Sequence, residues 1–132
     1  MPVVYRIDKA SNIVRVRGTG NVTIGEVIAH FRELEKDPDC PERLDVVLDL
    51  TEQTSIPRAE YLREIAFEIG RIRKHVRFGA CGIAAGTDAL FGMLRMFEVF
   101  AERYFSKSRV FRTVAEAEAW MASQHPTTSA AG

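Results

Sequence analysis

The sequence predicts an α/β fold: a mixed, mostly parallel sheet with the element order β-β-α-β-α-β-α-β-α. Three observations carry that reading. Two β-rich segments at the start are joined by a short polar link, which makes them an antiparallel hairpin. After them, apolar runs of strand length alternate strictly with segments of helical period, and such alternation builds parallel strands through right-handed crossovers. Two capping boxes, Thr23-Ile24-Gly25-Glu26 and Thr113-Val114-Ala115-Glu116, mark helix starts where the alternation needs them.

The elements follow in order. Val3 to Asp8 is β-branched and aromatic and reads as the first strand, and Lys9-Ala10-Ser11-Asn12 as a polar turn. In the second strand, Ile13 to Arg17, Val14 and Val16 alternate with Arg15 and Arg17. The two arginines mark a face that is solvated or that meets a partner. Thr23 opens the first helix, with Val22 and Val27 placed as a hydrophobic staple. Ile24, Val27, Ile28, Phe31 and Leu34 give that helix one buried stripe, and Asp37-Pro38-Asp39-Cys40-Pro41 ends it. Val46-Val47-Leu48-Asp49-Leu50 is a compact apolar run, expected at the centre of the sheet and covered on both faces.

The second helix is expected from about Pro57 to His75, with Leu62, Ile65, Ala66, Ile69 and Ile72 as its stripe. Arg71, Arg73, Lys74 and His75 crowd its last turn, where the helix dipole favours positive charge. Phe78 to Ala85 is a strand of small residues that helices can approach closely. Thr87 or Asp88 caps a third helix running to about Phe105. Val110-Phe111 is a short last strand, and the box at Thr113 opens a final helix through Trp120 and Met121. Residues 1–123 make a single domain, and 124–132, with little to bury, is expected to be a flexible tail.

Composition narrows the function classes. The chain has 132 residues, 18 basic and 18 acidic, for a net charge of zero. Sequence-independent binding to nucleic acid needs a basic surplus, so nucleic acid is not an expected partner. Two cysteines, Cys40 and Cys81, do not make a disulfide framework and fit a reducing, cytoplasmic setting. The first residues lack the order of a signal peptide, and no apolar run reaches the length of a membrane span.

The element order and the segments Val46 to Thr51, Gly92-Met93-Leu94-Arg95-Met96-Phe97, Val110-Phe111 and Ala115 to Met121 resemble the STAS fold. That is the fold of the anti-sigma-factor antagonists, and the likeness is greatest to SpoIIAA-like bacterial proteins. It covers roughly residues 3 to 122, and it implies a regulatory module that works by binding. In the antagonists, an Asp-Ser-Ser-Gly-like loop after the central strand carries a phosphorylated serine. Here that segment reads Thr51-Glu52-Gln53-Thr54-Ser55-Ile56-Pro57-Arg58-Ala59-Glu60, the pattern is absent, and the acceptor position falls near Arg58 or Ala59. The phospho-switch does not carry over. Thr54 and Ser55 read instead as helix caps or turn formers.

Chemistry is sparse. His30, His75 and His125 lie on different segments without ligand spacing, so no metal site is expected. No dinucleotide or phosphate-loop motif is present, and no cofactor is expected. Cys81, among small residues in a strand, reads as an inert core thiol. Asp49, Glu52 and Asp88 should lie near the carboxyl edge of the sheet, where α/β proteins bind ligands. Together with Ser55, Arg58 and Thr87 they form a candidate ligand or partner loop set, against the plainer reading of solvated turns and caps.

On the third helix, Leu90, Met93, Leu94, Phe97, Phe100, Ala101 and Tyr104 share the face expected against the sheet. Phe91, Met96 and Val99 fall outside it, interrupted by Arg95. Such an apolar surplus suits a homodimer interface, a protein partner, a groove for a small apolar molecule, or simply a wide stripe. The expectation is therefore a non-enzymatic interaction or regulatory module acting through Phe91, Arg95, Met96 and Val99. The alternative is a carrier or sensor of a small apolar or amphipathic ligand. An enzyme using Asp49, Glu52 or Asp88 comes last, since no base, nucleophile and anion hole converge.

Overall fold

The computed structural model describes residues 2–124. Among them, nine elements run in chain order: β1 (Val3–Asp8), β2 (Ile13–Gly20), α1 (Ile24–Lys36), β3 (Arg43–Gln53), α2 (Ala59–Ile72), β4 (Arg77–Ala85), α3 (Asp88–Ala101), β5 (Lys107–Phe111) and α4 (Val114–Gln124). The α/β class and the predicted order hold. The strands form one five-stranded sheet in the order β1-β2-β3-β4-β5. β1 pairs antiparallel with β2, and the other pairs are parallel. Asn12 closes the hairpin at φ 57°, a left-handed conformation that asparagine tolerates.

Strand order equals chain order, so every crossover advances across the sheet in one direction. Right-handed crossovers then place α1, α2 and α3 on the same face. The main core lies there, with Val14, Val16, Val46, Phe78, Cys81 and Ile83 from the strands and Leu34, Leu62, Ile69, Leu90 and Phe97 from the helices. α4 follows β5 back across the opposite face, where Ile13, Val47, Ala80, Met121 and Trp120 pack together.

Boundaries shifted where local signals were weak. β2 and β3 are longer than the apolar runs that announced them, since their ends are polar. α2 begins at Ala59 rather than Pro57, with Arg58 as an N-cap that makes no side-chain capping bond. Ser55 does not cap that helix: its hydroxyl accepts from Val22 N–H at 2.9 Å and donates to Val22 C=O at 3.0 Å. Thr87, not Asp88, caps α3, accepting from Leu90 N–H. Both capping boxes form as expected. Gln124, expected in the tail, ends α4. The rest of the tail, 125–132, and with it His125, lies outside the described residues.

α2 stands off the sheet. α1, α3 and α4 each bring Cα atoms within 8 Å of a strand, and α2 does not. It is held instead by its neighbours. Glu68, buried on α2, accepts from Arg71 at 2.8 Å and from Arg32 of α1 at 3.3 Å, and Arg71 reaches Glu35 of α1 at 2.9 Å. These pairs hold the Glu68 carboxyl below its usual range, Arg71 being the larger influence. His75 lies 3.4 Å from Glu35, and Arg73 stacks over Tyr104. Much of the basic run at the end of α2 is thus taken up by the protein's own carboxylates and rings.

Candidate functional site: an apolar cavity beneath the second helix

The space under α2 is a cavity of about 430 Å³. Its floor is Val14 and Val16 of β2 with Val46, Leu48 and Leu50 of β3. Ile24, Val27, Phe31 and Leu34 of α1 form one wall, and Leu62, Ile65 and Ile69 of α2 form the roof. Leu94 and Phe97 of α3 close the far side with Phe78 and Phe105. The size lies within the range of about 300–1,000 Å³ typical of small-molecule sites, and so does the chemistry, an apolar box with few polar groups. Leu48 and Leu50 were expected to be covered on both faces. They are only half-buried, because the helix above them is raised.

The mouth is fixed by exposure. Of the lining residues, Asn21, Thr23, Ile56 and Arg58 are exposed to solvent, and all four belong to the loops after β2 and β3. The opening is therefore at the carboxyl edge of the parallel strands, where α/β folds place ligands. Its rim is polar apart from Ile56 and Pro57, and firmly tied. Ser55 bridges to both backbone groups of Val22 across the two loops, and Gln53 Nε2 donates to Ser55 C=O at 3.0 Å. Arg58 is the N-cap of α2 and makes no side-chain capping bond; its C=O accepts from the N–H groups of Tyr61 at 3.0 Å and Leu62 at 3.2 Å.

One polar side chain lies deep in the lining. His30 of α1 is 8% exposed and packs between the rings of Tyr5, at 5.2 Å, and Phe31, at 5.1 Å. Its Nδ1 is buried with no hydrogen-bond partner. Burial depresses its pKa to about 4, so the imidazole is neutral near neutral pH. Tyr5, its neighbour on β1, is occupied elsewhere: its hydroxyl donates to Asp37 at 2.6 Å.

The sequence-derived candidates divide. Ser55 and Arg58 lie on the rim. Asp49, Glu52, Thr87 and Asp88 do not line the cavity, and the three carboxylates have separate engagements. Asp49 accepts from the Thr51 N–H at 3.1 Å and hydroxyl at 2.7 Å, Glu52 pairs with Arg17 at 2.7 Å, and Asp88 pairs with Arg112. Among the described residues no cluster of histidine, cysteine, aspartate and glutamate could hold a metal. Burial pushes the Cys81 thiol well above its usual range, away from the reactive thiolate.

On α3, Phe91 is half-buried and covered by the Arg112 guanidinium, 4.1 Å above its ring. Arg95 pairs with Glu98 at 3.3 Å. Met96 and Val99 are left exposed, at 40% and 67%. Arg15 does not stand on an open face: it makes a two-pronged bond to Glu118 of α4, at 2.8 and 2.9 Å.

Sequence reasoning missed His30, although the signal was present. Residue 30 falls three after Val27 and four before Leu34, on the buried stripe of α1. The cavity itself had no such signal, because nothing in the stripe of α2 tells how far that helix stands from the sheet. No protein-family model matches the chain, and no curated protein matches it. No described helix is long and apolar enough to cross a membrane.

Proposed function

We propose that this protein is a non-enzymatic carrier or sensor that binds one small apolar or amphipathic molecule under α2. The cavity carries the reading: about 430 Å³, apolar on floor, wall and roof, and open through a mostly polar rim. The raised α2, braced by ion pairs to α1 rather than by the strands, gives the space a structural cause. Asn21, Gln53, Ser55 and Arg58 suit the polar end of an amphipathic ligand, whose apolar part would lie inside. The engagement of Asp49, Glu52 and Asp88 with three different partners favours binding over catalysis. The STAS-like likeness stands beside this reading as part of the proposal, supported by the element order and by the strand and loop that lead from β3 into α2. Native mass spectrometry of freshly purified protein, before and after denaturation, is the test. Added mass that leaves on denaturation is expected. Clean apo-protein that also takes up no fluorescent fatty acid would overturn the proposal.

A second reading has its own observation. Met96 and Val99 expose apolar surface on α3, away from the cavity mouth, which suits a symmetric homodimer or a protein partner. Here Met96→Glu should convert dimers to monomers without unfolding the chain. An unchanged mass in solution would remove that interface.

A further inference from the structure

We infer that the molecule held under α2 is a monoanion, an apolar body ending in one carboxylate, and that the carboxylate sits at the mouth on Arg58. The inference rests on the carrier reading and names the ligand class. Arg58 is the only arginine, lysine, aspartate or glutamate among the described residues that line the cavity. It is exposed at the mouth, and among the described residues its guanidinium makes no hydrogen bond or ion pair. Other arginines of the chain are answered from within the protein: Arg15 by Glu118, Arg17 by Glu52, Arg71 by Glu35 and Glu68, and Arg112 by Asp88. The carboxylates of the mouth loops are not free to answer Arg58. Glu52 is taken by Arg17, and Glu26 accepts from the Thr23 N–H at 2.8 Å in the capping box of α1. Glu60, in the first turn of α2, is exposed and does not line the cavity. The mouth thus carries one positive charge that the fold leaves unmatched.

The rest of the rim fixes the count. Thr23, Gln53 and Ser55 are already bonded within the protein. The side chains of Asn21 and Tyr61 line the cavity and have no bond to a described residue. An amide and a phenol can each donate a hydrogen bond, and the guanidinium offers a planar fork that matches a carboxylate. One cation with two neutral donors suits one carboxylate. A dianion would bring two charges to a single guanidinium, and an ammonium would face Arg58 with no carboxylate in the lining to hold it. The apolar floor and roof take the remainder of the molecule, which keeps its charged end in contact with water at the edge.

The test uses octanoate, octanol and octylammonium as probes that share a chain and differ in the charge of the head. Affinities would be measured by calorimetry at neutral pH on the whole chain, on Arg58→Gln and on Arg58→Glu. Arg58 is exposed, so neither substitution touches the core, and glutamine keeps an N–H donor while removing the charge. The expected result is octanoate bound more tightly than octylammonium by the unsubstituted protein. Arg58→Gln should weaken octanoate about fivefold, the upper range for an exposed ion pair, and weaken octanol less. Arg58→Glu should reverse the preference in favour of octylammonium. Octylammonium bound as tightly as octanoate by the unsubstituted protein, or equal changes for octanoate and octanol in Arg58→Gln, would overturn the inference while leaving the carrier reading intact. Binding of none of the three probes would overturn both.

Discussion

The two faces of the sheet are covered in opposite ways. On one, α4 sits directly on the strands: Trp120 lies so close to Gly82 that a Cβ there would meet its ring at 3.2 Å, and Met121 is buried against Val47 and Ala80. On the other, α2 bridges between α1 and α3 and leaves about 430 Å³ beneath it. The difference lies in what fixes each helix. Small residues in β4 let α4 down onto the sheet, and the Arg15–Glu118 pair ties it to β2. α2 is instead fixed to α1 through Glu68, Arg71, Arg32 and Glu35. A helix positioned by its neighbours can stand above a strand, and the gap becomes available to a ligand.

Truncations on the two faces should separate most clearly. Met121→Ala removes a fully buried side chain from the close-packed face and should cost about 4 kcal/mol. Ile65→Ala, on the cavity roof, should cost about 2 kcal/mol, because the side chain is only half-buried and already borders open space. Chemical denaturation of the two variants checks the order, and equal costs would mean that the raised helix is as well packed as α4.

The next effect is that of acid. The folded pKa of His30 lies near 4, below the value of about 6.5 for a free histidine. The unfolded chain therefore binds a proton that the folded chain refuses, and stability falls as pH drops from about 6.5 to about 4. The loss is about 3 kcal/mol at full extent. His30→Phe should lack this component, so the gap between its urea midpoint and that of the parent should change between pH 7 and pH 4.5. A constant gap would place His30 in contact with solvent.

The smallest change in stability belongs to filling the cavity. Leu48→Phe adds volume on the floor and should alter stability by less than about 1.5 kcal/mol, because space is already there. It should nevertheless weaken uptake of a fluorescent fatty acid severalfold. A large destabilisation would show that the space cannot take the ring.

Much of the fold could be read in the residues, because its signals are local. The two capping boxes, the turn at Lys9 to Asn12 and the small-residue strand each depend on a few neighbouring positions. The cavity was not legible because it depends on a distance between elements. Ile65 and Ile69 give the same periodic stripe whether their helix rests on the sheet or stands above it. Arg15 shows the same limit: alternation put it on the second face of its strand, but not beneath Glu118, 103 residues away in the chain. The surplus on α3 was only partly a surplus, since Phe91 is shielded by Arg112 from beyond β5.

The match between strand order and chain order bears on how the molecule assembles. After the hairpin, each new strand docks beside the one before it, so every pairing step closes a short stretch of chain and carries a modest entropy cost. The sheet can therefore grow outward from its first edge. α4 is the exception, because it follows β5 and must return to Ile13 and Val47, laid down much earlier. Until it arrives, one side of a finished sheet is bare, and that interval is when the folding chain is most exposed to aggregation.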